Sequence, residues 1–346
     1  MKRIYLCALS DPVKQGHRFE QWIPILKNYE IELEISPLIS KAASPKDKAQ
    51  DFNHALRSCR YSWIFDVSGG NLANLVLPYI DYDVYKQAPT YYAAFSDGTS
   101  VVNALVTRAN KKALLFPIWN QVELDHIVQI VRNDQCTSKI VPIQNGPQFT
   151  RHARVYGGNI RCFLKLAGTI YMPDLTNSYL FLESASTSWY AFNSMVHQLY
   201  QMGALDSIGG VIFGRFNQIE KEFGYDRQMM LTKMKQLFAE LCPGRLLFFE
   251  APQIGHIQDS EGIWISAGKP FYKQTDSAVM LKTPSAKSQP QPTKQTSNGQ
   301  TKTPAAKSSP VLGATKKPTS TIIPAPDSQS RRMAFMKNRA NQRKDK

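Results

Sequence analysis

Apolar residues fall into two rhythms along the first 120 positions. Residues 4–9 and the run Trp63-Ile64-Phe65-Asp66-Val67 are near-continuous apolar stretches, and Ile31–Ile35 alternates, so all three predict strands. Residues 19–28 and Pro45–Arg57 have helical spacing, the latter with Phe52 and Leu56 on one side. Residues 72–79 read as a short helix or turn, 91–95 as a strand and Thr99–Ala109 as a helix. Strands alternating with helices argue an α/β fold with a mostly parallel sheet and helices on its faces. Functional loops of such sheets gather at the carboxyl ends of the strands. Ser68-Gly69-Gly70-Asn71 and Ser96-Asp97-Gly98 are both loops of that kind, and are expected side by side.

Residues 117–156 are less regular and read as a crossover or linker. A second unit begins near Gly157-Gly158-Asn159, with strands expected at 179–182, 210–213 and 246–249 and helices at 191–202 and Arg227–Leu241. From about residue 279 the chain turns to Lys, Thr, Ser, Pro, Gln and Ala, a composition too poor in large apolar groups to order itself. The expected organisation is a domain over 1–120, a linker over 121–156, a second domain over 157–278 and a disordered basic tail over 279–346.

Charge divides along the same boundary. The formal charge of +15 suggests a polyanion binder, yet residues 279–346 carry 14 Lys/Arg against 2 Asp/Glu, and residues 1–278 carry 28 against 25. The body is close to neutral and the basic character belongs to the tail. Five scattered cysteines (Cys7, Cys59, Cys136, Cys162, Cys242) show no zinc spacing and fit buried thiols in a reducing compartment. No metal or cofactor is expected. With neither a convincing signal segment nor a run long enough to span a membrane, a cytoplasmic protein is the default expectation.

Ser96 is the candidate nucleophile. It sits in Ala94-Phe95-Ser96-Asp97-Gly98, between an expected strand and an expected helix, one residue away from a Gly-x-Ser-x-Gly elbow. A Ser before Asp-Gly also reads as a plain turn. A serine nucleophile needs a base, and the base needs an orienting acid. Of six histidines, His17, His54, His126 and His197 lie in helix-like or N-terminal loop segments, and His152 in the basic loop Arg151-His152-Ala153-Arg154. His256 follows an apolar strand that runs into the Pro/Gly loop Ala251-Pro252-Gln253-Ile254-Gly255, a place where a scaffold presents catalytic groups. Glu183 ends the strand Tyr179-Leu180-Phe181-Leu182; a carboxylate there is paired or functional, because burying it alone is costly.

Several blocks in order resemble the LD-carboxypeptidases and the related microcin C immunity serine peptidases. They are residues 49–55, Gly69-Gly70-Asn71, the LPYIDYD run over 77–83, Phe95-Ser96-Asp97, Gly157-Gly158-Asn159-Ile160, residues 167–175, Leu180-Phe181-Leu182-Glu183, residues 210–216 and Gly255-His256. The resemblance covers roughly residues 48–268. It implies an N-terminal parallel-sheet domain of Rossmann or flavodoxin type and a smaller β-rich C-terminal domain. It further implies Ser96 as nucleophile, His256 as base, Glu183 as its orienting acid, and the backbone N–H groups of Asp97 and Gly70 as oxyanion donors. Gly69 and Asn71 are candidates for the substrate loop. The implied reaction is hydrolysis of the L-to-D bond of a murein tetrapeptide during wall recycling, by a protein that is commonly a homodimer. Ala94, Ser68, Gly98 and Ser100 depart from the family pattern, so reaction type is better specified than substrate.

Two other readings remain at this level. The same triad acting on a peptidyl-nucleotide toxin is kept open by the LPYIDYD run. A non-catalytic protein that reaches a polyanion through the tail, with the basic run 331–339, is the reading from another class.

Overall fold

The computed structural model describes residues 1–118, 124–133, 138–143, 147–149, 152–242 and 246–269. Arg151, Cys136, the tail from 279 and the basic run 331–339 lie outside the described residues.

Five strands and five helices come first: β1 (Lys2–Cys7), α1 (Trp22–Lys27), β2 (Ile31–Ile35), α2 (Pro45–Arg57), β3 (Trp63–Asp66), α3 (Tyr82–Gln87), β4 (Tyr91–Ala94), α4 (Thr99–Ala109), β5 (Ala113–Leu115) and α5 (Leu124–Asn133). Then follow β6 (Val141–Pro142), β7 (Val155–Asn159), α6 (Ile160–Leu164), β8 (Tyr179–Ser184), α7 (Trp189–Gln201), β9 (Gly210–Phe216), α8 (Asn217–Glu222), α9 (Arg227–Leu241), β10 (Leu247–Glu250) and β11 (Ile263–Ile265). The first sheet runs β11-β5-β4-β3-β1-β2, parallel except for β11. The second runs β6-β10-β9-β8-β7, parallel except for β6. The C-terminal region is strand-rich, and its strands alternate with helices as in the first sheet.

The period of two along β1 shows why the first sheet is covered on both faces. Ile4, Leu6 and Ala8 enter one apolar cluster with Trp22, Phe65 and Phe116; Tyr5, Cys7 and Leu9 enter the other, with Phe52 and Leu105. The second cluster continues into the second sheet through Leu180, Val211 and Phe249. Helix starts obey local chemistry: Ser44 accepts from Asp47 N–H with Pro45 at the first position of α2, and Ser188 and Asp226 cap α7 and α9.

Helix α4 joins the two sheets. Its residues from Thr99 to Leu105 are all buried, which an ordinary one-faced surface helix does not show. Asn103 exchanges two hydrogen bonds with Gly157 on β7, 2.7 Å to its carbonyl and 3.0 Å from its N–H, and Thr99 Oγ1 accepts from Asn159 N–H at 3.1 Å. A Cβ on Gly157 (φ 113°) would lie 2.1 Å from the Phe181 carbonyl, and one on Gly158 (φ 134°) 2.6 Å from Thr99 Oγ1. The Gly-Gly pair therefore lets β7 lie against both β8 and α4, which fixes the end of β8 relative to the start of α4.

The periodic segments match expectation, with Pro45–Arg57, Thr99–Ala109 and Arg227–Leu241 reproduced to the residue. The irregular-looking stretch 117–156 holds α5, β6 and the start of β7. Short β5 and β11 carry too few residues for any period, and they pair with each other, antiparallel, through Ile263 and Leu115.

Candidate active site

Strand β4 leads into a turn that only small neighbours permit. Phe95 is extended (φ −144°, ψ 175°), Ser96 adopts φ 54°, and a short 3-10 turn, Ser96–Gly98, opens into α4. A left-handed serine costs about 1–3 kcal/mol and persists only where its surroundings enforce it. A Cβ on Gly98 would lie 2.5 Å from the Ala94 methyl, so the residues two before and two after Ser96 are coupled. With Ala at 94, position 98 must be Gly. The two departures that looked independent in the sequence compensate one another.

The Gly69-Gly70-Asn71 loop lies alongside. A Cβ on Gly69 would be 4.0 Å from Ser96 Oγ. Gly70 has φ 124°, and a Cβ there would strike the Asp11 carboxylate. Asp11 N–H donates to the Gly69 carbonyl at 3.2 Å, so the Gly70 N–H in the same trans peptide points away from Asp11. At the elbow, Thr99 N–H donates to the Ser96 carbonyl, which turns the Asp97 N–H back out of the helix start. Both N–H groups expected to face an oxyanion thus belong to peptides whose carbonyls are held from the other side.

Asp97 itself is fully buried. Its carboxylate accepts from Ser10 Oγ (2.6 Å), Ala73 N–H (2.8 Å) and Lys165 Nζ (2.5 Å). Burial pushes this carboxyl up, but the hydrogen bonds from Lys165, Ser10 and Ala73 outweigh it and hold it below the usual range. Asp66, at the end of β3, accepts from Ser68 N–H and Oγ, Leu9 N–H and Tyr92 Oη, yet burial dominates and raises its carboxyl. Ser68 is buried with its hydroxyl on Asp66, so it serves the scaffold beneath the loop.

Glu183, fully buried near the end of β8, receives His256 Nδ1 on Oε2 at 2.7 Å. Its Oε1 is buried with no hydrogen-bond partner among the described residues. The negative charge is therefore directed at the imidazole, which assigns the proton to Nδ1 and leaves Nε2 as the proton-accepting position. The His256 ring lies 5.2 Å from the ring of Phe95, the residue immediately before Ser96. The His256 loop rests on β9 and α8. Arg215 N–H donates to the Ile254 carbonyl (2.8 Å), Asn217 Nδ2 to the His256 carbonyl (2.9 Å), and Gly255 has no room for a Cβ against Arg215. Behind it, Glu220 joins Arg215 and Arg227, and Arg227 reaches Glu250.

The structure brings Ser96, Glu183, His256, Asp97, Gly69 and Gly70 into one region, with Asn71 at its exposed rim. Among the other histidines, His126 pairs with Asp259 at 2.8 Å and His197 Nδ1 lies 2.8 Å from the Asn193 carbonyl. Sequence reasoning missed Asp66, Asp11, Arg161, Lys165 and Arg215. Asp66 gave the same signal as Glu183, a carboxylate ending a buried strand. The others act across long separations and left no local mark. Among the described residues no group of three or more His, Cys, Asp or Glu is placed to hold a metal ion.

The family model for the N-terminal domain of LD-carboxypeptidases matches residues 4–115, and that for the C-terminal domain matches residues 152–267, together more than half of the chain. The chain belongs to the LD-carboxypeptidase family, a family of peptidases. It is 26% identical over 219 residues to a carboxypeptidase-type protein of Treponema pallidum, a match spanning 55% of this chain and 64% of that protein, less than two thirds of its length. It is 20% identical over 246 residues to the microcin C7 self-immunity protein MccF of Escherichia coli, covering 59% and 72% of the two chains. The fold is similar to that of the muramoyltetrapeptide carboxypeptidase of Oxalobacter formigenes (TM-score 0.64, 19% identity, 77% of this chain and 93% of that one). It is also similar to MccF in complex with glutamyl sulfamoyl guanosine (TM-score 0.62, 17% identity, 77% and 91%).

Proposed function

We propose that this protein is a serine carboxypeptidase that hydrolyses the L-to-D peptide bond of murein tetrapeptides, releasing a C-terminal D-amino acid. The observation that carries the reading is the pairing of the buried Glu183 with the half-buried His256 beside a strained serine turn. In this mechanism His256 Nε2 takes the Ser96 proton as Oγ attacks the scissile carbonyl. Glu183 stabilises the imidazolium, the N–H groups of Gly70 and Asp97 receive the oxyanion, and the imidazolium then protonates the leaving amine. Water attacks the acyl-enzyme in the second half with His256 again as base, which regenerates Ser96. The setting is the cytoplasm, in keeping with the free thiols of Cys7, Cys59 and Cys162.

The test is release of free D-alanine from a murein tetrapeptide by the purified chain, with Ser96→Ala as control. No release by the parent rejects the murein substrate; equal release by both rejects Ser96. A second reading, a peptidyl-nucleotide substrate, draws on the likeness to MccF, and the same assay with an aminoacyl sulfamoyl adenosine conjugate tests it. Part of the LPYIDYD run also serves the scaffold. Asn53 ties the Tyr79 carbonyl to the Asp81 N–H, and Asp81 caps α3 and pairs with Arg57.

A further inference from the structure

Oxyanion binding demands that two donors from separate loops hold one geometry. Donors must stand about 2.7–3.1 Å from where the negative oxygen forms, and losing one costs about 100–1,000-fold in rate. Here the candidate donors belong to Gly70 and Asp97, on loops that follow different strands. Gly70 is a residue with wide conformational freedom next to an exposed Asn71. Something must keep the two loops in register.

Helix α6 and its end supply two cations at i, i+4 spacing that do this. Lys165 Nζ donates to Asp97 Oδ1 at 2.5 Å and to the Asn71 carbonyl at 2.8 Å, so one ammonium joins the elbow to the glycine loop. Arg161 Nη2 donates to the Gly70 carbonyl at 3.1 Å and Nη1 to Asn71 Oδ1 at 2.8 Å. The Lys165 side chain is 19% exposed, far less than a solvated surface lysine, and its partner Asp97 is also held by Ser10 and Ala73 N–H. The Gly70 residue is thereby fixed at both ends: Asp11 N–H holds the peptide before it and Arg161 the peptide after it.

We propose that Arg161 and Lys165 are positioning residues for the oxyanion-binding N–H groups of Gly70 and Asp97, fastening both donor segments to one short helix. The inference rests on the serine-hydrolase reading above. It goes beyond that reading by giving two side chains outside the triad the role of holding the oxyanion donors in register.

The test needs no knowledge of the substrate. A fluorophosphonate probe phosphonylates an activated serine, and its phosphoryl oxygen occupies the oxyanion site, so the second-order labelling rate of the full chain reads the geometry directly. Lys165→Met and Arg161→Met are each expected to slow labelling by about 10–100-fold. Lys165→Arg, which keeps the charge and two or more donors, is expected to restore most of the rate. Thermal midpoints measured alongside separate positioning from folding. On a hydrolysable peptide the loss is expected in kcat, with KM nearly unchanged. Unchanged labelling in both Met variants overturns the proposal. So does slowing that tracks lost thermal stability and is not rescued by Lys165→Arg. A parent protein that is not labelled at all overturns the serine reading itself, and this inference with it.

Discussion

Ser96 and His256 reach the same region on supports of different kinds. The serine side is shaped by backbone, a left-handed residue and glycines without room for a Cβ, and is fastened from behind by Asn103, Thr99 and the Asp97–Lys165 pair. The histidine side is held by charge: one buried carboxylate on the ring, and an Arg215–Glu220–Arg227–Glu250 chain behind the loop. The backbone shape around Ser96 tolerates almost no added atom. The support behind His256 is built chiefly from ion pairs, and Glu220 makes it depend on pH.

The largest expected effect tests the serine. Ser96→Ala should lower kcat by about 10^4-fold or more, while Ser96→Gly should be equally inactive and more stable by about 1 kcal/mol, because glycine accepts φ 54° without strain. Steady-state kinetics and chemical denaturation check the pair; an unaltered rate removes Ser96 from the chemistry. Next, Glu183→Gln keeps shape but removes the charge that orients Nδ1–H, with an expected loss of about 10^3–10^4-fold in kcat. A loss below tenfold would mean that the imidazole is oriented by something else.

Gly98→Ala should destabilise the fold by about 1–3 kcal/mol, since its methyl would enter the space of Ala94. Adding Ala94→Gly should recover most of that, and a double-mutant cycle measures the coupling. Additive losses would show that the two positions do not share space.

The smallest effect concerns the charged support. Burial pushes the Glu220 carboxyl up, but Arg215, the Phe216 N–H and Arg227 together bring it below its ordinary value. A carboxyl lowered in the folded state contributes stability fully above its unfolded value, near pH 4.3, and loses it as pH falls through the folded one. Asp97 acts in the same direction. Glu220→Gln should therefore lower the thermal midpoint at pH 7, and the gap from the parent should narrow toward pH 3. A gap independent of pH would make packing, not charge, the contribution of Glu220.

The same division explains what the sequence disclosed. Local backbone devices announce themselves: small residues around Ser96 and paired glycines at 69–70 and 157–158 were readable because each works within a few positions. Glu183 and His256 were readable as chemistry, as polar groups at strand ends. Their support was not, because Arg215 at a strand end and Glu220 and Arg227 on helices look like ordinary surface charges until the fold buries Glu220. Helix α5 was missed although its apolar residues, Leu124, Ile127, Val128, Ile130 and Val131, have helical spacing; the segments around it lacked any period and obscured its ends.

Strand β11 carries a consequence for how the molecule is made. It pairs with β5 across about 150 positions of sequence, and the His256 loop lies between β10 in one sheet and β11 in the other. Pairings so distant are slow to form, since the intervening chain must be closed before any contact rewards it. During synthesis the serine turn emerges long before the His256 loop, and the first sheet waits for its outermost strand until the second sheet has been translated. A nascent chain halted before residue 263 would carry every candidate catalytic side chain yet lack the strand that ties the base-bearing loop back to the first sheet. The turn that bears Ser96 and the loop that bears His256 would then be tied together only once β11 has left the ribosome.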